Sequence, residues 1–444
     1  MSLRKEMLMK NIEYVGYHDL GGKMGFQIAM QKAKGRYYLY TASFRDNGWN
    51  ILDVTDPANP RHIKWVEGPW ISDARDGQGT LKLQIADGYM ITAHSGLIKF
   101  LMGCEDDLPC WGGIKIWDVK TDPEDPKFLG EYECLAPGGV HRFFYNGGRY
   151  AYLSACYEGY DSFILKIVDI QDPTNPVGVG EYYVPSQKME GVDKTAFGDH
   201  LSKPFLHAVT VRDDIAFLAY ANEGVTLLDV KDKSNPKFLG NLPMQPTLGG
   251  GMGGAPVHTA YPIGDRPFAV VTNEGERSMI YHGGDTGRGK KIITQPICIA
   301  GIIELADPTH PNLISVFPYP EMPEGYTHGT NFNFVDGVRV PLGPHNFFDA
   351  FGTDVYKAFN DKALCCYFWA GLRIYDVSDP FVPKEIAYFL PPDPENLLFD
   401  NADGTLMLGA RASNTEDVVV DDRGFIYLTT LQDGLYIVRY NGGL

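Results

Sequence analysis

The stretch WNILDVTDPANP, which runs from Trp49 to Pro60, joins an alternating apolar segment to an Asp-Pro turn and a second proline. Alternation of apolar and polar residues predicts a half-buried strand. Aspartate caps such a turn through its side chain, and proline fixes φ and lacks the N–H group that strand pairing needs. The stretch therefore predicts a strand, a tight turn and a second strand.

Diverged copies of this stretch recur along the whole chain. They read IKIWDVKTDPEDP at 114–126, LKIVDIQDPTNP at 165–176, VTLLDVKDKSNP at 225–236, GIIELADPTHP at 301–311 and LRIYDVSDPFVP at 372–383, with a truncated LYIVRYNGGL at 435–444. Two strands precede each copy and one follows it, so each unit contains four antiparallel strands, as a β-propeller blade does. The sequence predicts an all-β fold, with residues 1–444 in one seven-bladed β-propeller domain.

The two ends of the chain complete one blade together. The last unit has only three strands, and NIEYVGYHD at Asn11–Asp19 matches the outer strand of the other units. Pairing the two ends removes an exposed sheet edge, which would otherwise invite aggregation. The expected blades cover about 25–68, 79–135, 140–185, 206–244, 257–320, 344–391 and 415–441, the last completed by 11–19.

The phrases ILDVTDPANP, IVDIQDPTNP and IYDVSDPFVP resemble the repeat of the LVIVD-repeat family of bacterial β-propellers. The resemblance covers nearly the entire chain and implies the propeller fold. It implies no particular activity, because the motif describes only the third strand of a blade and its turn. Glu304 and Arg439 replace the repeat aspartate, so these two blades are expected to lack one hydrogen bond of the turn.

Charge and apolar patterning exclude two classes of partner. The chain has 39 basic and 56 acidic residues and a net charge of −17, which repels nucleic acid and anionic membrane surfaces. No segment approaches the roughly 20 apolar residues that span a bilayer, and Glu6 and Lys10 interrupt the amino-terminal segment. We expect a cytoplasmic protein with reduced thiols, in which Cys104 and Cys110 of CEDDLPC are candidates for a disulfide or a soft-metal site.

Four blades place a histidine at the start of their first strand, in the segments GGVHRFF, PFLHAVTV, APVHTAY and LGPHNFF. First strands line the channel of a propeller, so these residues predict a ring. Its expected histidines are His141, His207, His258 and His345, joined by Asp417, Gln27 and either Thr80 or Lys82. Several imidazoles on rigid strands suit Zn²⁺, Mn²⁺ or Fe²⁺, and Asp417 is the candidate proton acceptor. A purely structural role, in which each histidine bonds a neighbouring turn, stays open.

Long loops join outer strands to the next inner strands and are expected on one face, around the channel mouth. They cover 186–203, 245–255, 321–343 and 393–413. Whether 245–255 and 321–343 act as lids stays open. In the third loop, His328 is a candidate catalytic acid or base, and the candidate substrate-binding residues are Gln27, Tyr261, Tyr326 and Phe347.

Three functions are compatible with these residues. The first is a metal-dependent enzyme acting on a small organic substrate at the channel mouth, with non-redox lyase, hydratase or hydrolase chemistry preferred. The second is an Fe²⁺ dioxygenase, since a four-histidine centre on a seven-bladed propeller is similar to that of carotenoid and stilbene cleavage dioxygenases. The third is a non-catalytic scaffold for another protein, marked by an exposed apolar patch and by channel histidines that bond each other or the backbone.

Overall fold

The computed structural model describes most of the chain. The described residues are 3–43, 46, 48–68, 79–95, 111–134, 138–190, 204–221, 223–243, 257–273, 300–330, 332, 334–335, 338–339, 343–350, 352–398 and 411–443.

The described strands form seven antiparallel blades around a channel, which confirms the all-β propeller. Before the first blade come β1 (Leu8–Lys10) and β2 (Ile12–His18). Blade one contains β3 (Ile28–Ala33), β4 (Arg36–Ala42), β5 (Gly48–Asp53) and β6 (Arg61–Glu67). Blade two contains β7 (Gly79–Ala86), β8 (Tyr89–Ser95), β9 (Gly113–Asp118) and β10 (Lys127–Glu133). Blade three contains β11 (Val140–Phe144), β12 (Tyr150–Cys156), β13 (Phe163–Asp169) and β14 (Val177–Tyr182).

The remaining blades follow the same order from the channel outward. Blade four contains β15 (Ala208–Arg212), β16 (Ile215–Ala219), β17 (Val225–Asp229) and β18 (Lys237–Leu242). Blade five contains β19 (Val257–Pro262), β20 (Phe268–Asn273), β21 (Ala300–Glu304) and β22 (Asn312–Val316). A small hairpin, β23 (Phe334–Val335) and β24 (Val338–Arg339), precedes blade six, which contains β25 (Asn346–Phe347), β26 (Lys362–Cys366), β27 (Leu372–Asp376) and β28 (Lys384–Leu390). Blade seven contains β29 (Thr415–Val420), β30 (Phe425–Thr430) and β31 (Gly434–Tyr440).

The amino-terminal segment closes the ring and also extends a second blade. Strand β2 pairs antiparallel with β31 and completes blade seven, as the sequence predicts. The preceding strand β1 pairs with β28 and adds a fifth strand to blade six, which the sequence did not indicate. Asn11 makes the step between the two blades with φ 54°, a conformation that asparagine tolerates better than most residues. Its side-chain Nδ2 donates to the carbonyl of Ile386 at 2.7 Å.

The repeat aspartates cap the turns that follow the third strands. In blade one, Asp53 Oδ1 accepts the N–H of Thr55 at 3.0 Å, and Asp56 Oδ1 accepts the N–H of Ala58 at 3.1 Å. Blade five has Glu304 in place of the first aspartate but keeps the second cap, since Asp307 Oδ1 accepts the N–H of Thr309 at 2.9 Å. The side-chain caps therefore explain why the Asp-Pro phrase recurs.

Most of the apolar core lies between neighbouring blades. Trp49 of blade one and Trp117 of blade two meet edge to face, with ring centroids 4.9 Å apart. Gly180 of the outer strand β14 lies so close to the carbonyl oxygen of Lys233, in the turn of blade four, that a Cβ there would collide with it. Because blades are held together by these faces, channel-facing positions are available for polar residues.

Helix is nearly absent from the described residues. The two helical segments there are short 3-10 turns, Leu20–Gly22 and Pro185–Gln187. No helix in the described ranges is long and apolar enough to cross a membrane.

Candidate metal centre in the channel

Strand register places the four predicted histidines at one level of the channel. His207 and His345 each donate a backbone hydrogen bond, at 2.9 Å to Ala219 and at 3.0 Å to Cys366, just before the regular pairing begins. His141 and His258 occupy the same position at β-bulges, where the register of β11 and of β19 shifts by one residue. A bulge re-aims the extra side chain, so all four blades present an imidazole at the start of the inner strand.

The other three blades differ from the sequence prediction at this level. In blade seven the bulge of β29 puts Glu416 beside the histidines and Asp417 one residue later. In blade one Phe26 takes the position and Gln27 follows it. Among the residues whose side chains the structure describes, the histidine level consists of Phe26, His141, His207, His258, His345 and Glu416. The second level consists of Gln27, Lys82, Arg142, Ala208, Thr259, Asn346 and Asp417. Counting positions along the sequence pattern misses a bulge, because the bulge adds one residue and leaves the alternation on either side unchanged.

The four imidazoles form one continuous cluster. His141 Nε2 lies 2.8 Å from His207 Nε2. The ring centroids of His207 and His258 are 4.1 Å apart, and those of His258 and His345 are 4.9 Å apart. His141 and His345 are 204 positions apart in the sequence, yet they belong to a single site.

Two of these rings are oriented through their Nδ1 atoms. His207 Nδ1 donates to the carbonyl of His258 at 2.6 Å, and His345 Nδ1 donates to the carbonyl of Glu416 at 2.7 Å. The carboxylate Oε2 of Glu416 is also 3.3 Å from His345 Nδ1. A proton held on Nδ1 leaves Nε2 as the lone-pair donor, the orientation that metal-bound histidines take. Sequence reasoning missed Glu416, because it chose its neighbour Asp417.

Arg142 joins the other half of the cluster. Its Nη2 lies 3.0 Å from His258 Nε2 and 3.4 Å from His345 Nε2. A guanidinium can only donate, so both nitrogens act as acceptors there. Burial holds the pKa of His345 well below its ordinary value, and the charges of Arg142 and Lys82 lower it further. His345 is therefore neutral at neutral pH, as a metal ligand must be.

The donor set fits a divalent ion in type and orientation. Two imidazole nitrogens bound at about 2.1 Å lie about 3 Å apart at a right angle and about 3.4 Å apart in a tetrahedral site. The His141–His207 separation of 2.8 Å would therefore widen slightly around an ion. Arg142, however, donates hydrogen bonds to the lone pairs of two of the rings. In the described part of the chain no group of three or more His, Cys, Asp or Glu side chains is arranged to hold an ion. The cluster in this structure is thus hydrogen bonded, with the ligand types of a metal centre.

Asp417 lies at the second level and is buried. Its Oδ2 accepts the N–H of Ile28 at 2.8 Å. Burial raises the pKa of Asp417 to about 6, although the charges of Lys82 and Arg142 and two backbone N–H groups oppose the shift. A carboxyl group with such a pKa can exchange a proton near neutral pH.

Three of the four predicted substrate-binding residues lie further along the channel than the histidines, towards the ends of the inner strands. Gln27 lines two small chambers at the second level. Tyr261 and Phe347 line a cavity of about 570 Å³, which opens where the inner strands end. An inner strand such as β15 has five residues, so this far mouth lies roughly 15 Å from the histidine level.

Two further candidates lie apart from the cluster. His328 is buried, and its Nε2 is 2.5 Å from Asp393 Oδ2, which also accepts the backbone N–H of Arg4 at 2.5 Å. The ring of Tyr326 packs edge to face against that of His328, with centroids 5.7 Å apart. The described contacts of His328 thus tie the amino terminus to blade six, and none of them reaches the four histidines.

Some sequence predictions fall on parts of the chain that the structure does not describe. Cys104, Cys110 and the loop 245–255 lie wholly outside the described residues. The described cysteines Cys134, Cys156, Cys365 and Cys366 are free thiols.

Comparisons with known proteins identify the repeat and the fold. The LVIVD repeat family matches residues 34–66, 148–184 and 207–242, which fall in blades one, three and four. No curated protein gives a significant match to the sequence. The β-propeller domain of Cps50 (Swd1) from Myceliophteria thermophila is 11% identical and aligns over 94% of this chain and 97% of its own, with a TM-score of 0.51.

Two further solved structures align over nearly their full length. The periplasmic gluconolactonase PpgL of Pseudomonas aeruginosa is 11% identical over 98% of this chain and 100% of its own, with a TM-score of 0.49. The computationally designed protein Ika8 is 9% identical over 96% and 98%, with a TM-score of 0.45. Such low identities say nothing about the activity of this chain. The chain therefore contains LVIVD repeats and has the fold of a seven-bladed β-propeller.

Proposed function

We propose that the protein is a metal-dependent enzyme in which His141, His207, His258 and His345 bind one divalent ion, Zn²⁺, Mn²⁺ or Fe²⁺. The observation that carries the proposal is the Nε2–Nε2 separation of 2.8 Å between His141 and His207, within a cluster that also contains the other two rings. The carbonyls that orient His207 and His345 support it, because they direct two lone pairs into the cluster. Rigid inner strands hold ligands with the small tolerance that metal bonds require.

The chemistry proposed is non-redox: the ion would polarise a substrate carbonyl or activate a water molecule, as in lyases, hydratases and hydrolases. Asp417 is the proton acceptor, because its pKa of about 6 leaves it mostly ionised at neutral pH and able to take up a proton. Glu416 keeps His345 in the Nδ1–H form through its carbonyl and carboxylate. Burial of the second level excludes bulk water from the reacting groups.

Arg142 is expected to control occupancy of this site. Its guanidinium and an ion compete for the lone pairs of His258 and His345, and both are cations. Arg142 cannot donate to these nitrogens while they bind an ion. The proposal therefore requires that Arg142 breaks two hydrogen bonds when the ion binds.

A second candidate function is a non-catalytic scaffold. The same hydrogen bonds favour it, because histidines that bond each other and the backbone need no ion. Exposed apolar side chains lie on blades five and six, among them Val316, Tyr319 and Phe381. Such side chains suit contact with another protein.

Elemental analysis of protein purified without chelator separates these functions. We expect near-stoichiometric Zn, Mn or Fe in the wild type, its loss in the double variant His207→Ala, His258→Ala, and its retention in His310→Ala, which changes an exposed histidine. A wild-type protein that contains no metal, even after dialysis against each of the three ions, would refute the metal-dependent enzyme and favour the scaffold function. Iron that gives a coloured complex with nitric oxide would instead identify the dioxygenase version of the site.

A further inference from the structure

The second level of the channel contains two buried cations beside the histidines. Lys82 is 2% exposed and Arg142 is 5% exposed. Both lower the pKa of His345 and that of Asp417, so the four groups lie within range of one another's charge. Burial of cations in a protein interior costs free energy unless negative charge or hydrogen bonds compensate it.

Arg142 lacks the partners that a buried guanidinium normally has. Its Nε has no hydrogen-bond acceptor in the described structure. The acceptors found for its Nη2 are the imidazole Nε2 atoms of His258 and His345, which carry no negative charge. Guanidinium groups in protein interiors usually pair with carboxylates or phosphates through two parallel hydrogen bonds. In the described structure no carboxylate or phosphate is hydrogen bonded to Arg142, although Asp417 lies within range of its charge. The group that Arg142 lacks is therefore a directly paired anion.

A small chamber adjoins this guanidinium. Its polar lining residues and Tyr261 are joined by apolar ones, and its volume of about 10 Å³ is enough for about one water-sized group. The polar lining residues are Gln27, Lys82, Gln84, Arg142 and Thr210. A tetrahedral phosphate or sulfate with its four oxygens would not fit such a space, whereas the end of a flat carboxylate would need the least enlargement. The size of the chamber thus favours a carboxylate over a phosphate.

The chamber adjoins the large cavity at the far mouth. Phe144 and Tyr261 line both spaces, and Phe347 and Tyr356 also line the cavity. Phe144 follows Arg142 by two residues on β11, a separation of roughly 7 Å along the strand. An acid with its carboxylate at Arg142 would therefore place an apolar body among these aromatic rings, two to four carbon atoms away.

We propose that the channel binds a monocarboxylic acid with an aromatic or branched apolar body, which enters through the far mouth and pairs its carboxylate with Arg142 and Lys82 next to the four histidines. This inference deepens the proposed function by naming the substrate class of the same site. The binding step itself requires no metal ion.

Calorimetric titration of metal-free, chelator-treated protein tests the inference independently of metal binding. The probes are phenylacetate, 3-phenylpropionate and 4-phenylbutyrate, with the corresponding amides as neutral controls. We expect saturable binding of at least one acid and at least about tenfold weaker binding of its amide, because a charge-assisted pair is lost. Inorganic phosphate and sulfate are expected not to compete.

Variants of the two cations locate the site. Arg142→Met and Lys82→Met remove charge at similar length, and each is expected to weaken the acid by about tenfold or more, whereas Arg142→Lys keeps part of the affinity. Lys237→Met, at an exposed position, is the matched control. Circular dichroism and thermal unfolding identify any variant that fails to fold. Tyr261→Trp then replaces that variant, because a larger side chain narrows the passage between the far mouth and Arg142. We expect it to weaken binding of the longest acid most.

Three results would overturn the inference: equal binding of acid and amide, acid binding unchanged in folded Arg142 and Lys82 variants, or absence of binding for all three acids at millimolar concentration. Loss of metal binding with acid binding intact would refute the proposed function alone. Metal binding without acid binding would refute the inference alone.

Discussion

His141 Nε2 and His207 Nε2 lie 2.8 Å apart, although 66 residues separate them in the chain. His207 keeps a proton on Nδ1, which donates to the carbonyl of His258 at 2.6 Å. A neutral His207 ring therefore accepts at Nε2, and the proton between the two rings belongs to His141 Nε2. The pair defines how the metal-free cluster is protonated.

Binding of an ion by these two rings changes the tautomer of His141. Both Nε2 atoms must offer lone pairs to the ion, so the His141 proton moves to Nδ1 or leaves. We expect ¹⁵N spectra of histidine-labelled protein to show an Nε2–H tautomer for His141 that disappears when Zn²⁺ is added. Spectra that stay unchanged at saturating Zn²⁺ would contradict a site that includes His141, and the exposed His310 supplies the internal reference.

Glu416 is expected to tune metal affinity without being a ligand. The variant Glu416→Gln keeps the carbonyl that accepts from His345 Nδ1 but removes the negative charge 3.3 Å from that atom. Loss of such a partner typically lowers metal affinity by about 10-fold to 100-fold. Competition with a chromogenic chelator measures the change, and Glu133→Gln on the exposed outer strand of blade two should leave the affinity as in the wild type.

Acid should destabilise the protein through His94 before most of its carboxylates titrate. Burial, with a smaller contribution from Lys115, lowers the pKa of His94 to about 3. The unfolded state, in which His94 has a pKa near 6.5, binds the proton first as the pH falls, so stability is full above about pH 6.5 and declines below it. The expected loss between pH 7 and pH 5 is about 2 kcal/mol. Urea unfolding at several pH values should show a shallower slope for His94→Asn, and an equal slope would argue against a neutral buried His94.

Gly139 is expected to be required for the position of His141. It has φ 58°, and a Cβ there would collide with the carbonyl oxygen of His94 in blade two. Gly148 is a matched control, since it has φ 74° but nothing within 4 Å of its missing Cβ. Gly148→Ala should cost about 1 kcal/mol of unfolding free energy from backbone strain alone, and Gly139→Ala clearly more, together with loss of bound metal. Equal costs for the two variants would mean that the contact with blade two relaxes freely.

The buried network of Arg4, Asp393 and His328 should matter for stability and not for metal binding. Asp393→Asn removes the charge that faces both partners, and breaking a buried pair in this way costs about 3–5 kcal/mol. Glu395→Gln, in an exposed pair with Lys5, should leave the unfolding midpoint unchanged. His328→Gln should lower the midpoint and keep the metal content. A stable His328→Gln variant that binds no metal would show that His328 contributes to the metal site.

How far the site could be predicted depends on the kind of information each residue leaves in the sequence. The histidines recur at the same offset from a strand pattern, so His141, His207, His258 and His345 were predicted as one ring, and the register places them at one level. Asp417 and Gln27 were each misplaced by one residue, because a bulge or the start of a strand shifts the count locally. Arg142 and Glu416 were missed, since each lies directly beside a residue that the pattern had already selected.

The sequence by itself determined the propeller, its blade number and its closure, because alternation, Asp-Pro turns and the split last blade are local signals that repeat. Only the tertiary structure decided which side chains meet. His141 lies against His207, Arg142 against His258, and His328 against Asp393. It also decided that Tyr261 and Phe347 line the far mouth. The physical reason is that strand patterns fix where a backbone runs, whereas contacts across a channel depend on register, bulges and rotamers of residues from different blades.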